Sequence, residues 1–164
     1  MFIKPNIFLD SVTEITTAVL NSINVKALIL DADNTLALPH KGKPAPGVEE
    51  WISSLQKSGI KLIILSNAKP ERMSHFAECV GLPFVAWGLK PLPFGFIRAA
   101  RQMKTPLCEC AIVGDQLFTD LLGGGICGCK KILVQPMMVE SSFGFKIKRG
   151  LEKPFLKRYK NNKL

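Results

Sequence analysis

The most informative segment of this chain is Lys26-Ala-Leu-Ile-Leu-Asp-Ala-Asp-Asn-Thr-Leu36. Four apolar residues run directly into Asp31, and Asp33 and Thr35 follow at two-residue steps. A short continuous apolar run rich in Ile and Leu is typical of a strand that is buried on both faces, as in a parallel sheet. An α/β protein places its ligand crevice at the carboxyl end of such a strand.

The two carboxylates of this stretch need a physical reason to lie close together. Because like charges repel, Asp31 and Asp33 predict either a bound cation or an acid pair with shifted pKa values. A polar turn that caps a strand is the plainer alternative. A calcium-binding EF-hand loop is excluded, because it requires Gly and Glu where this chain has Leu36 and Gly42.

Length and composition indicate one globular domain. The chain has 164 residues and an apolar fraction of 47%, which suits a single core and is too high for a disordered protein. Apolar runs are all shorter than the roughly 18 residues of a membrane-spanning helix, and the beginning of the sequence lacks the features of a signal peptide. We therefore expect a cytoplasmic protein.

The five cysteines are expected to be reduced, because the sequence carries no export signal. Cys108 and Cys110 form one close pair, and Cys127 and Cys129 form another. If neighbouring strands brought the pairs together, four thiolates would be available to zinc. A single intervening residue is shorter than zinc sites prefer, so burial as small hydrophobic side chains is the favoured interpretation.

Strand and helix patterns alternate along the chain. A capping box at Ser11 predicts a helix from about 11 to 22, and Pro70 suits the first position of a helix through Val80. Strands are predicted at 26–31, 60–65, 84–86, 111–113 and 131–134, and further helices at 48–59, at 94–101 and at 117–122, the last ended by Gly123-Gly-Gly125. This order predicts an α/β fold with a doubly wound, mainly parallel five-stranded sheet. Residues 1–10 are expected to form an apolar arm.

Polar side chains follow several of the predicted strands. They are Asp31 and Asp33, then Ser66, then Lys90 in the loop after the third strand, then Asp115. Because the carboxyl ends of parallel strands share one edge, these groups are expected to form an acidic cup with one hydroxyl and one ammonium. Mg²⁺ prefers one or two carboxylates with phosphate oxygens and water, while Lys and Ser bind the remaining phosphate oxygens. Singly, each residue also suits a cap, a turn or a solvated loop.

These motifs resemble those of the haloacid dehalogenase-like (HAD) phosphatases. The four matching segments, in the family's order, are Leu28 to Thr35, Leu62 to Asn67, Lys90-Pro91 and Gly114 to Asp120, which together cover about residues 26 to 135. The individual residues of these motifs are similar to those of subfamily IIIA and its YqeG-like branch, which includes the mitochondrial phosphatidylglycerophosphate phosphatase. That similarity rests on Lys4-Pro-Asn-Ile-Phe-Leu9, Asp33-Asn-Thr-Leu36, Ser66-Asn67 and Gly114-Asp-Gln-Leu-Phe-Thr-Asp120.

The resemblance implies a three-layer, HAD-like Rossmannoid sandwich and a role for each site residue. Asp31 would form an aspartyl-phosphate, and Asp33 would act as general acid and base. The Mg²⁺ ion would be held by the side chains of Asp31 and Asp115 and the backbone carbonyl of Asp33. Asp120 would support these ligands without binding the metal. The substrate phosphate would be bound by Ser66, Asn67, Lys90 and Thr35.

Two further comparisons refine this interpretation. A receiver domain is set aside, because it carries adjacent acids on its first strand and its phosphorylated Asp on the third. Only 35 residues separate Asp31 from Ser66, and 24 separate Ser66 from Lys90, so neither interval can hold the cap domain common in HAD enzymes. An uncapped site is open to a phosphate on a large molecule or at a membrane surface.

The basic residues are concentrated at the carboxyl terminus. The net charge is +9, and residues 146–163 contain eight basic residues against the single acid Glu152. We therefore divide the chain into a phosphatase domain at 1–145, with the arm and helix of 1–25 packed on it, and a basic tail at 146–164. A predicted helical stripe carries Lys146, Arg149, Lys153, Lys157 and Lys160, and Pro154 predicts a break in this helix near Lys153.

The tail has three possible roles. It suits an anionic membrane surface, and a solubilising tail is the equal alternative. Nucleic acid is disfavoured, because the tail offers only Phe155 and Tyr159 for base stacking.

Three functions remain open. The leading one is a magnesium-dependent phosphomonoesterase, with phosphatidylglycerophosphate at the inner face of the membrane as its candidate substrate. The second keeps this chemistry with a soluble phosphate ester or a phosphoprotein. The third is an RNA- or ribosome-binding module without turnover, against which the intact pair Asp31 and Asp33 argues. The sequence predicts no oligomeric state.

Overall fold

The computed structural model describes residues 2–39, 42–138, 150–152, 154–155 and 159. Its centre is one sheet of six strands in the order β1-β6-β5-β2-β3-β4, with every neighbouring pair parallel. The strands are β1 (Ile7–Leu9), β2 (Ala27–Leu30), β3 (Lys61–Leu65), β4 (Phe84–Val85), β5 (Cys110–Gly114) and β6 (Lys130–Val134). The predicted parallel α/β sheet is confirmed, but the predicted number of five strands is wrong.

The sixth strand is β1, which lies in the segment expected to be an apolar arm. It pairs with β6 from Ile7 opposite Ile132 to Leu9 opposite Val134. Asn6 fixes the start of this pairing, because its backbone N–H donates to the Lys131 carbonyl at 2.8 Å and its side-chain oxygen accepts from the Lys131 N–H at 2.9 Å. Three residues are too few to show a strand period, which is why the pattern missed it.

Helices cover both faces of the sheet, which confirms the three-layer sandwich. The helices are α1 (Thr17–Ser22), α2 (Val48–Lys57), α3 (Pro70–Val80), α4 (Pro93–Met103) and α5 (Leu122–Ile126). One core holds side chains of α1, α2 and α3 against Leu28, Leu30 and Ile64, and a second holds α4 against Ile29 and Ile63. No cap domain interrupts the described residues between β2 and β3 or between β3 and β4.

The predicted helix over 11–22 is wrong in its first half. Ser11 forms the expected capping box with Glu14, but the box begins a 3₁₀ turn at Val12–Glu14. The backbone is extended at Ile15, and a new cap at Thr16 starts α1. Trp51 fixes the interruption, since its indole N–H donates to the Ile15 carbonyl at 2.8 Å.

The glycine triplet lies within a helix and does not end one. The chain forms a π-helical turn at Leu117–Leu121 and continues into α5, which contains all three glycines. A Cβ at Gly123 would overlap the ring of Phe96, and one at Gly125 would overlap the Phe2 carbonyl. These glycines therefore serve close packing, which local turn rules do not reveal.

Two of the five cysteines are small core side chains as expected, whereas Cys79 and Cys108 are exposed and Cys127 is half-buried. Cys110 and Cys129 are buried, and burial raises the pKa of the Cys110 thiol to about 11 and also raises the pKa of Cys127 and Cys129. All five cysteines lie in the described part of the chain, and within it they form no metal-binding cluster. Among the same residues, no helix has the length and apolarity needed to cross a bilayer.

Candidate active site

The predicted site residues meet at the carboxyl edge of the sheet. Asp31 follows β2, Ser66 follows the neighbouring β3, and Asp115 follows β5 on the other side. Carboxylate oxygens of Asp31, Asp115 and Asp120 lie within 4.8 Å of one another, and all three residues are buried. The parallel order of the strands thus produces the acidic cup that the sequence predicted.

Lys90 supplies the positive charge inside this cup. Its Nζ lies 2.5 Å from Asp31 Oδ1 and 2.6 Å from Asp120 Oδ1, with all three side chains nearly inaccessible to solvent. Burial alone would lower the pKa of the Lys90 ammonium, but the carboxylates of Asp120 and Asp31 outweigh burial and raise the pKa above its ordinary value. Lys90 therefore stays charged and fixes the orientation of both carboxylates.

The cup carries more negative charge than Lys90 can balance. Burial raises the pKa of the Asp31 carboxyl well above its ordinary value; Lys90 opposes this shift, while Asp120 and Asp115 add to it. Asp31 Oδ2 is buried and makes no hydrogen bond within the described residues. A buried carboxylate oxygen beside two further carboxylates fits a hard divalent cation, which prefers oxygen ligands.

The loop that carries Lys90 is fixed to the residue after Ser66. Asn67 accepts from the Lys90 backbone N–H at 2.8 Å and donates to the Lys90 carbonyl at 3.2 Å. Ser66 itself is buried, and its Oγ accepts from the Ala68 N–H at 3.1 Å. Asn67 thus connects the loop after β3 with the loop after β4 at the site.

Thr35 lies in the loop that follows β2. It is buried, and its hydroxyl has no hydrogen-bond partner among the residues that the structure describes. The substrate-binding roles assigned to Thr35, Ser66, Asn67 and Lys90 remain predictions.

Asp120 is held by the segment after β5. Its Oδ2 accepts from the Gln116 backbone N–H at 3.3 Å, while its Oδ1 contacts Lys90. A Cβ at Gly114 would overlap the Asp120 carboxylate, so the glycine of the Gly-Asp motif leaves room for this second acid. Asp120 therefore positions Lys90 next to Asp31.

Arg72 is a site residue that the sequence patterns missed. It lies in the first turn of α3, and its Nη2 is 2.5 Å from Asp33 Oδ1. Asp33 is partly exposed, unlike Asp31, so this pair lies at the mouth of the cup. Pro70 predicted the start of α3, but no motif marked Arg72 within its first turn.

Glu152 is the second residue that was missed. It is 1% exposed, and its Oε1 accepts from the Leu117 N–H at 2.8 Å and from the Phe118 N–H at 3.4 Å. Phe155 packs edge-on against Phe118, and Tyr159 joins a small core with the leucines of the π-helical turn. The described part of the tail is thus packed against the segment that carries Asp120.

Other tail residues fall outside the described part of the chain. They include all five residues of the predicted basic stripe: Lys146, Arg149, Lys153, Lys157 and Lys160.

Comparison with known proteins agrees with this geometry. Residues 10–128 match the model of the haloacid dehalogenase-like hydrolases. The chain is 36% identical to the probable phosphatase YqeG of Bacillus subtilis over 97% of this chain and 92% of that protein. It is 27% identical to a mitochondrial phosphatidylglycerophosphatase of Saccharomyces cerevisiae, over 76% of this chain and 74% of the relative.

A solved structure supports the fold. A protein of Listeria monocytogenes superposes with a TM-score of 0.59 at 18% identity, over 72% of this chain and 85% of its own. This chain therefore belongs to the haloacid dehalogenase-like hydrolase family, in which it is a phosphatase similar to YqeG of Bacillus subtilis.

Proposed function

We propose that this phosphatase is a magnesium-dependent phosphomonoesterase of subfamily IIIA that works through an aspartyl-phosphate on Asp31. We further propose that its substrate is phosphatidylglycerophosphate. The observation that supports this mechanism is the contacts that the two oxygens of the Asp31 carboxylate make. We assign Oδ2, which makes no hydrogen bond within the described residues, to the cation, and Oδ1, which Lys90 holds at 2.5 Å, to the attack on phosphorus.

Hydrolysis then proceeds by two displacements. In the first, a bond forms between an Asp31 oxygen and phosphorus, the bond from phosphorus to the alcohol oxygen breaks, and Asp33 donates a proton to that oxygen. In the second, water attacks phosphorus, Asp33 accepts its proton, and the bond to Asp31 breaks. The products are the alcohol and inorganic phosphate.

The remaining residues keep this geometry. Ser66 and Asn67 would bind phosphoryl oxygens, and Lys90 would hold Asp31 in its attacking orientation. The side chains of Asp31 and Asp115, with the Asp33 backbone carbonyl, would hold Mg²⁺. The bound ion supplies charge that offsets the repulsion between an anionic nucleophile and an anionic ester.

Two observations favour the lipid substrate. A relative that covers most of this chain is named a phosphatidylglycerophosphatase. The site also lacks an inserted cap within the described residues, so a phosphate on a bulky lipid can enter. The protein would then act at the inner face of a membrane.

The test is magnesium-dependent phosphate release from phosphatidylglycerophosphate in vesicles, beside a panel of soluble phosphate esters. We expect preference for the vesicles, and no release by Asp31→Asn, which should remain folded because Asn is nearly isosteric. Equal or faster release from soluble esters would reject the lipid while retaining the phosphatase. Full activity of Asp31→Asn would reject the mechanism.

A further inference from the structure

The loop between β4 and α4 presents large apolar side chains to solvent beside the active site. Trp87, Leu89 and Leu92 of the loop are 50%, 54% and 49% exposed, and Phe94 in the first turn of α4 is 60% exposed. Lys90, in the middle of the same loop, points into the site and is 8% exposed. The loop therefore divides its side chains between the catalytic cup and the solvent.

Backbone contacts fix the loop in this arrangement. The Trp87 N–H donates to the Ala68 carbonyl at 3.1 Å, and the Leu92 N–H closes a tight turn on the Leu89 carbonyl at 2.8 Å. Arg98 of α4 donates to the Trp87 carbonyl at 2.8 Å. These hydrogen bonds hold the backbone that carries the outward-facing apolar side chains.

A second apolar group lies across the site. Met137 and Met138 follow β6, are exposed, and the Met138 N–H donates to Asn34 Oδ1 at 3.1 Å. Because β5, β2 and β3 lie between β6 and β4, the two groups flank the acidic cup at one edge of the sheet. Six of the nine exposed large hydrophobic residues in the described part of the chain follow β4 or β6 in this way.

The same edge contacts Glu152 and Phe155, two described residues of the segment 146–163. Glu152 and Phe155 contact Leu117 and Phe118 just after β5, and the surrounding residues 146–163 include eight basic residues. Apolar side chains that include Trp, combined with a basic segment, match the interface of an anionic bilayer, where rings sit at headgroup depth and Lys and Arg meet anionic lipids. An apolar protein partner would not require the basic charge.

We propose that this edge is a membrane-docking surface. Trp87, Leu89, Leu92 and Phe94 insert at the headgroup level of an anionic bilayer, and the turn that contains Lys90 then lies where a lipid phosphate lies. This inference rests on the proposed function only in that the docked site would meet a lipid phosphate. Docking itself requires no turnover.

Flotation with vesicles tests the docking. The vesicles contain phosphatidylglycerol and phosphatidylcholine without any substrate, and phosphatidylcholine alone serves as the comparison. We expect the double variant Leu89→Ser/Leu92→Ser to lower the partition coefficient at least tenfold while turnover of p-nitrophenyl phosphate stays within twofold of wild type. Ile126→Ser is the matched control, because Ile126 is 51% exposed at the end of α5 and should have no effect.

Tryptophan fluorescence gives an independent measurement. Trp51 is buried and hydrogen-bonded to Ile15, so it is a spectator, whereas Trp87 is half exposed. Anionic vesicles should shift the emission to shorter wavelength in the wild type and not in Trp87→Phe.

Two results would overturn docking through this surface: a double variant that floats like wild type, or a wild type that floats with unshifted emission. A vesicle-independent dimer that the double variant dissociates would assign the surface to a second copy instead. Docking with no hydrolysis of any ester would reject the proposed function alone. Hydrolysis with no docking would reject this inference alone.

Discussion

Arg72 Nη2 lies 2.5 Å from Asp33 Oδ1, although Arg72 belongs to α3 and Asp33 to the loop after β2. Both side chains are partly exposed, so solvent screens the pair and its contribution to stability is within about 0–1 kcal/mol. The ion pair instead positions Asp33, because the guanidinium limits the rotamers of the carboxyl group to which we assign acid and base catalysis.

Replacing Arg72 should therefore affect turnover more than binding. We expect Arg72→Ala to lower kcat roughly tenfold, which corresponds to about 1.4 kcal/mol of transition-state stabilisation, with a smaller change in KM and an unchanged melting temperature. Arg72→Lys should recover part of the loss. Steady-state kinetics on a soluble ester measure this, with Arg101→Ala, an exposed arginine in the last turn of α4, as the control. A change confined to KM would contradict the positioning role.

Lys90 should be required for stability as well as for activity. Lys90→Met leaves the buried carboxylates of Asp31 and Asp120 without their ammonium, and breaking a buried pair in this way costs about 3–5 kcal/mol. Urea unfolding in the presence of a chelator measures this loss. Adding Asp120→Asn to Lys90→Met should restore part of it, since one of the unpaired charges is removed. An unchanged unfolding midpoint in Lys90→Met would contradict the account.

The excess of carboxylates predicts stabilisation by a divalent cation. Mg²⁺ should raise the melting temperature of the metal-free protein in proportion to the logarithm of its concentration above the dissociation constant, because it binds only the folded cup. Asp115→Asn should weaken this effect. Thermal unfolding over a magnesium series gives the comparison, and equal shifts in both proteins would remove Asp115 from the ligand set.

Glu152 should stabilise the catalytic edge from the far end of the chain. Glu152→Ala leaves the buried Leu117 N–H without its acceptor, which costs about 1–3 kcal/mol. Chemical unfolding measures the effect, and Leu151→Ala, at a neighbouring exposed position, is the control. If the tail were an independent segment, Glu152→Ala and a chain ending at residue 145 would both be as stable as the full chain.

The sequence predicted those parts of the fold in which local pattern and tertiary structure agree. The apolar run that leads to Asp31 forms β2, and Pro70 begins α3 as predicted. The strand at Ile7–Leu9 was missed because its pairing with β6 is fixed at long range. Gly123 lies within α5 and leaves room for the Phe96 ring, and such a contact has no local signature.

In the candidate site, too, some features follow from local sequence patterns and others depend on long-range contacts. The convergence of Asp31, Lys90 and Asp115 was predictable, because parallel strands bring their carboxyl ends to one edge. Arg72 and Glu152 were not predictable, because each reaches the site from a distant segment through a side chain that lies in no motif. Their contacts depend on how α3 and the tail pack, which three-dimensional structure alone determines.

In the proposed mechanism Asp31 carries the phosphoryl group during turnover. Rapid mixing with a substrate labelled in its phosphate, followed by an acid quench, captures this species. We predict an acid-stable, base-labile label on wild type that maps to the peptide containing Asp31, its accumulation when Asp33→Asn slows the second displacement, and no label on Asp31→Asn. A label elsewhere, or turnover by wild type without a labelled enzyme, would contradict the account.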